Sequence, residues 1–308
     1  MSYNIELLKY KDVQQSLDLI KSVFKISMSI EVWKWYIFNN PDGASRVYLM
    51  YYDNKLIGLH GWSPSIVKIN NKEYNSAYGH SLAILPEYRN TASYIKLMRQ
   101  SFNEEIEQGV DILIGHPNKT AYYSHKSIMR MRDFCTLDIY KKENILYTNN
   151  NCEEIHEFDN SFKNYLSKIS NYYGFCFLQS VDRLNWRFFA HPDKPYTVFV
   201  NYKNGSLSGH IILNKRCDQN KVTHIMDVHA LDVKTFKNLI GAAQSYAFDC
   251  QQIDLWCVNG YPFRDSLESI GFKKIGSRPV VIKTSNRVNV EYPDSKASYM
   301  YGDADKIY

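Results

Sequence analysis

Trp35-Tyr36-Ile37-Phe38-Asn39-Asn40-Pro41-Asp42 recurs, without a gap, as Trp186-Arg187-Phe188-Phe189-Ala190-His191-Pro192-Asp193. At the same offset of 151 residues, Val47 aligns with Val198, Tyr51 with Tyr202, Leu56 with Leu207 and Gly58 with Gly209. Five Trp in 308 residues make two aligned Trp and two aligned Pro-Asp pairs a sign of duplication rather than of chance. The offset is about half the chain, which predicts two domains, 1–148 and 152–308, joined through the polar run Asn149-Asn150-Asn151. Two copies need not do the same work: one can keep the chemistry while the other shapes the site.

Composition narrows the class. The apolar fraction of 44% and charged fraction of 22% are those of a globular protein with a sizeable core. A net charge of +5 suits an anionic ligand and equally suits an ordinary hydrated surface. No basic run is interleaved with aromatics, so nucleic acid is not an expected partner. No apolar stretch is long enough to span a bilayer and the start carries no export signal, which predicts a cytoplasmic protein without a membrane partner. The six Cys (135, 152, 176, 217, 250, 257) have no zinc spacing and read as reduced thiols, so no metal is expected.

Working outward from the repeat, each half reads strand, helices, antiparallel meander, helix, strand, helix, strand. In the first half these are a strand at 5–8, helices at 12–24 and 29–38, and strands at 46–52, 55–69 and 73–85. A loop at 86–93, a helix at 94–106, a strand at 110–114, a helix at 119–129 and a strand at 134–140 complete it. Asp53-Asn54, Asn70-Asn71 and Asn204-Gly205 are the hairpin turns, because Asn, Asp and Gly tolerate left-handed backbone. Ser29 is the expected N-cap of the second helix. In the second half a helix is expected at 161–169, strands at 197–202, 207–213 and 223–231, a helix at 235–248, a strand at 253–258, a helix at 263–270 and a strand at 273–282. The order implies an α/β fold of mixed, mostly antiparallel sheet with helices on both faces.

Leu82-Ala83-Ile84-Leu85-Pro86-Glu87-Tyr88-Arg89, closing the fourth strand just before a long helix, resembles the corresponding passage of the GNAT N-acyltransferases. The resemblance implies two tandem GNAT-like domains. It also implies acyl-CoA, acetyl-CoA or a longer form, as co-substrate. In that family a loop of the form Arg/Gln-x-x-Gly-x-Gly/Ala holds the pyrophosphate on backbone N–H groups at a helix start. Here the loop reads Arg89-Asn90-Thr91-Ala92-Ser93-Tyr94, with Ala92 and Tyr94 in place of the usual small glycines. Ile84, Leu85, Arg89, Asn90, Thr91, Ala92 and Ser93 are therefore the expected cofactor contacts, joined by Asn118 of Gly115-His116-Pro117-Asn118. The resemblance also implies a helix residue that protonates the departing thiolate. Tyr123 and His125 both remain candidates, since the usual spacing falls on His125.

Acyl transfer to an amine needs a base, and His80 on the fourth strand is the first candidate, with an ordinary pKa near ~6.5 that suits the task. A hydrogen-bonded structural histidine is the competing reading; His116 and His125 are rivals, and His229 and Asp227 on the matching second-half strand read as structural residues that could reach a shared cleft. Oxyanion donors are expected from strand backbone around Ile84. In the second half, Arg183 to Phe188, Ile270-Gly271-Phe272 and the tail Gly302-Asp303-Ala304-Asp305 resemble the C-terminal half of tandem GNAT proteins. The passage Asp227-Val228-His229-Ala230-Leu231-Asp232 is acidic where a pyrophosphate would sit, so only the first half is expected to bind CoA. Trp35 and Trp186 read as packing residues, and Arg187 as a surface ion pair or phosphate contact. Asp303 and Asp305 read as a solvated tail or an acceptor contact. The resemblance implies an acceptor that is a small polar amine, a nucleotide-linked amino sugar for surface polysaccharide being the leading class. The alternatives are an aminoacyl-tRNA-dependent transferase of the peptidoglycan-bridge type and a non-catalytic GNAT-like binding protein.

Overall fold

The computed structural model of the chain describes residues 3–26, 28–148, 150–193, 195–215, 221–293 and 296–303. Asn149, Cys217, Ala304 and Asp305 lie outside them. The first-half meander is set by its turns. Asp53 and Asn54 have φ of 46° and 64°, and Asn70 and Asn71 of 49° and 66°. Paired left-handed residues match the strand twist and close two-residue hairpins. They link β2 (Arg46–Tyr52), β3 (Lys55–Ile69) and β4 (Lys72–Ile84), with β1 (Tyr3–Leu7) antiparallel to β2. β5 (Ile112–Gly115) then runs parallel to β4.

Helices cover both faces of this sheet. Alternation along β2 sends Val47 and Leu49 to the side of α1 (Val13–Phe24) and α2 (Ile30–Phe38). Tyr48 and Met50 go to the side of α3 (Thr91–Glu107). Leu97, Met98 and Phe102 of α3 are fully buried there, each contributing about 1.5–3 kcal/mol by the apolar area it removes from water. α3 begins three residues earlier than the periodicity predicts. The side chain of Asn90 accepts from Ser93 N at 2.9 Å, and Ser93 Oγ lies 3.3 Å from Asn90 N. This reciprocal cap turns residues 91–93 into a first helical turn.

The described strands form one sheet of thirteen. The others are β6 (Arg132–Lys142), β7 (Cys152–Ile155), β8 (Phe175–Phe177), β9 (Tyr196–Lys203), β10 (Ser206–Lys215), β11 (Val222–Ala230), β12 (Gln252–Val258) and β13 (Lys273–Thr284). Along the sheet the order is β1-β2-β3-β4-β5-β13-β6-β12-β11-β10-β9-β7, with β8 paired to β3. The last strand of each half therefore crosses over: β13 lies antiparallel to β5, and β6 antiparallel to β12. β7 and β8 are short strands that the sequence pattern does not show.

The remaining helices are α4 (Lys119–Ser127), α5 (Phe162–Tyr172), α6 (Val181–Leu184), α7 (Val233–Tyr246) and α8 (Arg264–Ser269). α7 packs Phe236, Leu239 and Ile240 on one face of the second-half strands, and α5 packs Phe162, Tyr165 and Ile169 on the other.

The repeated octapeptide keeps its flanking caps, although Trp35–Phe38 closes an α-helix whereas Asn185–Phe189 is a π-helical turn. Ser29 accepts from Val32 N at 3.1 Å and Ser180, at the same offset, from Arg183 N at 3.0 Å. Asn40 Oδ1 accepts from Asp42 N at 3.0 Å, and His191 Nδ1 from Asp193 N at 3.1 Å. The two copies meet face to face: Trp35 stacks on Trp186 with centroids 5.0 Å apart, and Asp42 pairs with Arg183.

Candidate active site

β4 and β5 stay together for only three register pairs, Ser76 with Ile112, Ala77 with Leu113 and Tyr78 with Ile114. β5 then ends at Gly115 while β4 continues to Ile84. The divergence begins at a bulge. Gly61 pairs with His80 and Leu59 with Ala83, so Ser81 and Leu82 face the single residue His60. Ser81 takes φ of 54°, a strained value for a residue with a Cβ, of the kind that bulges use to re-aim a strand. The result is a V-shaped cleft along whose wall the β4 backbone has no strand partner on the β5 side.

Two connected cavities fill the V. The larger, about 570 Å³, reaches the start of α3 and is lined by Leu82, Ile84, Arg89, Asn90, Thr91, Tyr94, Asn118 and Ala121, among others. The smaller, about 260 Å³, lies deeper and shares Leu82, Asn118 and Ala121 with it. At the junction, Asn118 caps α4, accepting from Ala121 N at 2.8 Å.

Ile84, Arg89, Asn90, Thr91 and Asn118 line the larger cavity, and Arg89 donates to Ile84 O at 3.0 Å. Leu85, Ala92 and Ser93 do not line it. Leu85 N is spent on Ile57 O at 2.8 Å, and Ala92 is exposed on the first turn of α3. Ser93 is fully buried, its hydroxyl 2.7 Å from Tyr88 O. Tyr94, where the GNAT loop pattern has a small residue, puts its ring into the cavity wall, its hydroxyl 3.2 Å from His125 Nδ1.

Histidines dominate the deeper cavity: His60, His80, His116 and His125 all line it. His80 lies across the backbone of β3; a Cβ on Gly61 would sit 2.1 Å from its Cε1. Its Nδ1 is 3.2 Å from Ser81 Oγ, and its buried Nε2 has no partner among the described residues. Burial lowers the His80 pKa to about 3, so the imidazole is neutral. His125 Nδ1 lies 2.8 Å from Ala121 O, which can only accept, so Nδ1 carries the proton and Nε2 the lone pair. Its pKa is also lowered, by burial first and against the Ala121 carbonyl. His60 is held well below its ordinary value, by burial and then by His80 and His125. Trp62 Nε1 is a second buried polar atom of this wall without a partner among the described residues. Tyr123 is 68% exposed, stacks edge-on against Tyr122 and reaches neither cavity. The helix turn that brings His125 inward carries Tyr123 outward.

Neutral, buried histidines make the fold acid-sensitive. Their folded pKa values lie below the unfolded ~6.5, so their stability contribution is complete above that pH and is lost as pH falls towards the folded value. His80 alone should cost about 2 kcal/mol between pH 7 and pH 5. Urea midpoints at the two pH values check this; a midpoint unmoved at pH 5 contradicts it.

The corresponding passage of the second half is closed. β11 pairs with β12 from Val222 to Ile225 and then runs on to Ala230. The tail packs over this point, its Tyr301 ring against Trp256 of β12 and His224 of β11. Tyr299 and Tyr301 join the α5 side of the core and Met300 the α7 side, and Tyr301–Asp303 form a 3-10 turn packed on β11. Tyr301 stacks on Trp256 at 4.3 Å. Asp303 is thus no solvated tail residue: burial, then the charge of Asp227, pushes its carboxyl up to about 7. Asp227 pairs with His229 at 3.1 Å. Burial opposes both charges and their mutual attraction outweighs it, leaving the carboxyl below and the imidazole above their ordinary values. Arg187 is buried, not a surface ion pair, and donates to Gly302 O and Tyr196 Oη. The start of α7 is capped by a carboxylate, Asp232, accepting from Thr235 N at 2.8 Å, whereas α3 has the neutral Asn90.

Two residues of the deeper cavity carry no local sequence signal: Trp256 on β12 and Arg278 on β13. The strand crossover brings them there.

Residues 4–127 match the acetyltransferase (GNAT) domain family. The whole fold is similar to solved structures of low sequence identity. A conserved protein from Enterococcus faecalis is 14% identical, with a TM-score of 0.71 over 92% of this chain and 73% of that one. A GCN5-related N-acetyltransferase from Anabaena variabilis is 13% identical, with a TM-score of 0.71 over 93% and 74%. Another from Kribbella flavida is 9% identical, with a TM-score of 0.66 over 92% and 71%. No functionally curated protein matches the sequence. The fold is the GNAT fold, a mixed and mostly antiparallel sheet with helices on both faces. Among the described residues no helix is long and apolar enough to cross a membrane.

Proposed function

We propose that the protein is an N-acyltransferase that moves an acyl group from acyl-CoA to the amine of a small polar acceptor. The observation that carries this is the open V between β4 and β5, with a neutrally capped helix start at one end and a neutral buried histidine at the other. The cofactor arm fits the larger cavity: backbone N–H groups at Thr91 face a pyrophosphate there, with the α3 dipole adding to the attraction. Acyl-CoA supplies an activated thioester. The amine nitrogen attacks its carbonyl carbon, the carbon–sulfur bond breaks, and the sulfur leaves as thiolate. His80 Nε2 takes the proton that the amine loses, and β4 backbone N–H groups beyond the β5 pairing face the oxygen that gains charge.

The second half, taken as 152–308 against 1–148, shapes the acceptor side and holds no CoA in this reading. Residues 297–301 are buried against its strands, Tyr301 on Trp256 and His224, and its helix start carries Asp232. A nucleotide-linked amino sugar, as used in surface polysaccharide, is the acceptor class we favour, in the cytoplasm where acyl-CoA is made. Calorimetry with acetyl-CoA should find one site per chain. Thr91→Glu should weaken it about 30- to 100-fold by setting a carboxylate against the pyrophosphate, while an acid in the first turn keeps α3 intact. Two sites per chain would overturn the closed second half, and unchanged affinity in the variant would overturn the assigned helix start.

A further inference from the structure

We infer that the acceptor amine also carries an anionic oxygen group, phosphate or carboxylate, which Arg278 receives at the mouth of the deeper cavity. The inference rests on the acyl-transfer reading of the same cleft and adds the charge of the second substrate. The walls of that cavity include four histidines and one guanidinium, and no carboxylate among the described residues. Three of those histidines, His60, His80 and His125, are held neutral by burial. The fixed charge facing the acceptor is therefore positive. An acceptor with several ammonium groups finds no counter-ion there, whereas one with an anionic handle finds a guanidinium.

Arg278 is placed for this. It lies on β13, opposite Leu137 of β6, so the crossover that inserts β13 beside β5 delivers it to the first-half cleft. Its guanidinium carbon stands 5.2 Å from the centroid of Trp256, which holds the planar group over a ring and leaves its N–H fork to solvent. It makes no ion pair among the described residues. The nearby carboxylates are already engaged, Asp254 by His224 at 2.5 Å and Asp138 by Arg264 at 2.9 Å and Lys274 at 2.8 Å. A planar fork on an aromatic face suits bidentate contact with phosphate or carboxylate.

Acetylation of glucosamine, glucosamine 1-phosphate and glucosaminic acid tests this, the last two separating phosphate from carboxylate. Wild-type kcat/KM should favour at least one anionic amine over glucosamine by about tenfold or more, with the gain in KM. Arg278→Gln should reduce that ratio to about threefold or less, and Arg278→Lys should restore part of it. Equal kcat/KM for the three amines in the wild type, or a ratio unchanged in R278Q, overturns the inference. Binding of N-acetylglucosamine 1-phosphate and of N-acetylglucosamine, by calorimetry, needs no turnover. The phosphate form should bind the wild type about tenfold more tightly than R278Q, and equal or absent binding overturns the inference even where no amine is acetylated. Absence of acetyl-CoA binding would instead overturn the acyl-transfer reading itself.

Discussion

His80→Ala should lower kcat by about 100- to 1,000-fold while acetyl-CoA affinity stays within about twofold, the size expected for loss of a positioned general base. His80 lines the deeper cavity and not the larger one, so the substitution leaves the cofactor arm's walls in place. The pH dependence gives the sharper test. With its pKa lowered to about 3, the imidazole is neutral at any pH from 5 to 9. The wild-type rate should not fall through a histidine titration near ~6.5; its acid limb should follow ionisation of the free amine. The variant should lose a constant factor across that range. A weak base suffices because the proton reaches Nε2 as the leaving sulfur gains negative charge, so a pair of opposite charges forms and no lone buried cation. An unaltered rate in the variant would leave His80 a structural residue packed on Tyr36 and Trp33.

Glu105→Ala should destabilise the fold by about 3 kcal/mol, read as a shift in urea midpoint at constant slope. Glu105 is 1% exposed on α3 and accepts both Nε and Nη2 of Arg46, with Tyr48 Oη at 2.9 Å. Removing the carboxylate leaves the Tyr48 hydroxyl buried without its acceptor and opens a void beneath α3. The Arg46 side chain is 32% exposed and can turn to water, which keeps the cost at the lower end of that for a broken buried pair. Glu105→Gln keeps the shape and an acceptor oxygen and should lose about half as much. A change below about 1 kcal/mol in the alanine variant would show that water replaces the carboxylate at both partners.

Local chemistry was the legible part. Asp53-Asn54, Asn70-Asn71 and Asn204-Gly205 turn where expected because few other residue types take left-handed backbone cheaply, and all six have positive φ. Ser29 caps its helix as its hydroxyl suggests. Asn90 was legible in principle, since Asn is among the best caps. Its place in a run of polar residues made it read as loop, and α3 therefore starts before the apolar stripe begins. The Ser180 cap sits at the repeat offset from Ser29 and could have been found by extending the alignment six residues upstream. β7 and β8 were not visible because strands of four and three residues are too short for a period to show. Tyr123 and His125 illustrate the limit at the site. Both lie on one predicted helix, and only the packing of α4 against β13 and α3 decides that His125 faces in.

The sequence by itself determined the longer elements, their order and the turns between them, because each depends on residues within a few positions of one another, and it showed the repeat of Trp35–Asp42 directly. Only the tertiary structure decided which strands pair across the middle of the sheet, since β6 and β13 carry the same alternation whether they close their own half or cross to the other. That crossover, the packing of the tail on β11 and β12, and the burial that strips His80 of its charge involve residues far apart in the chain. They decide which cleft is open, and they place Arg278 at its mouth.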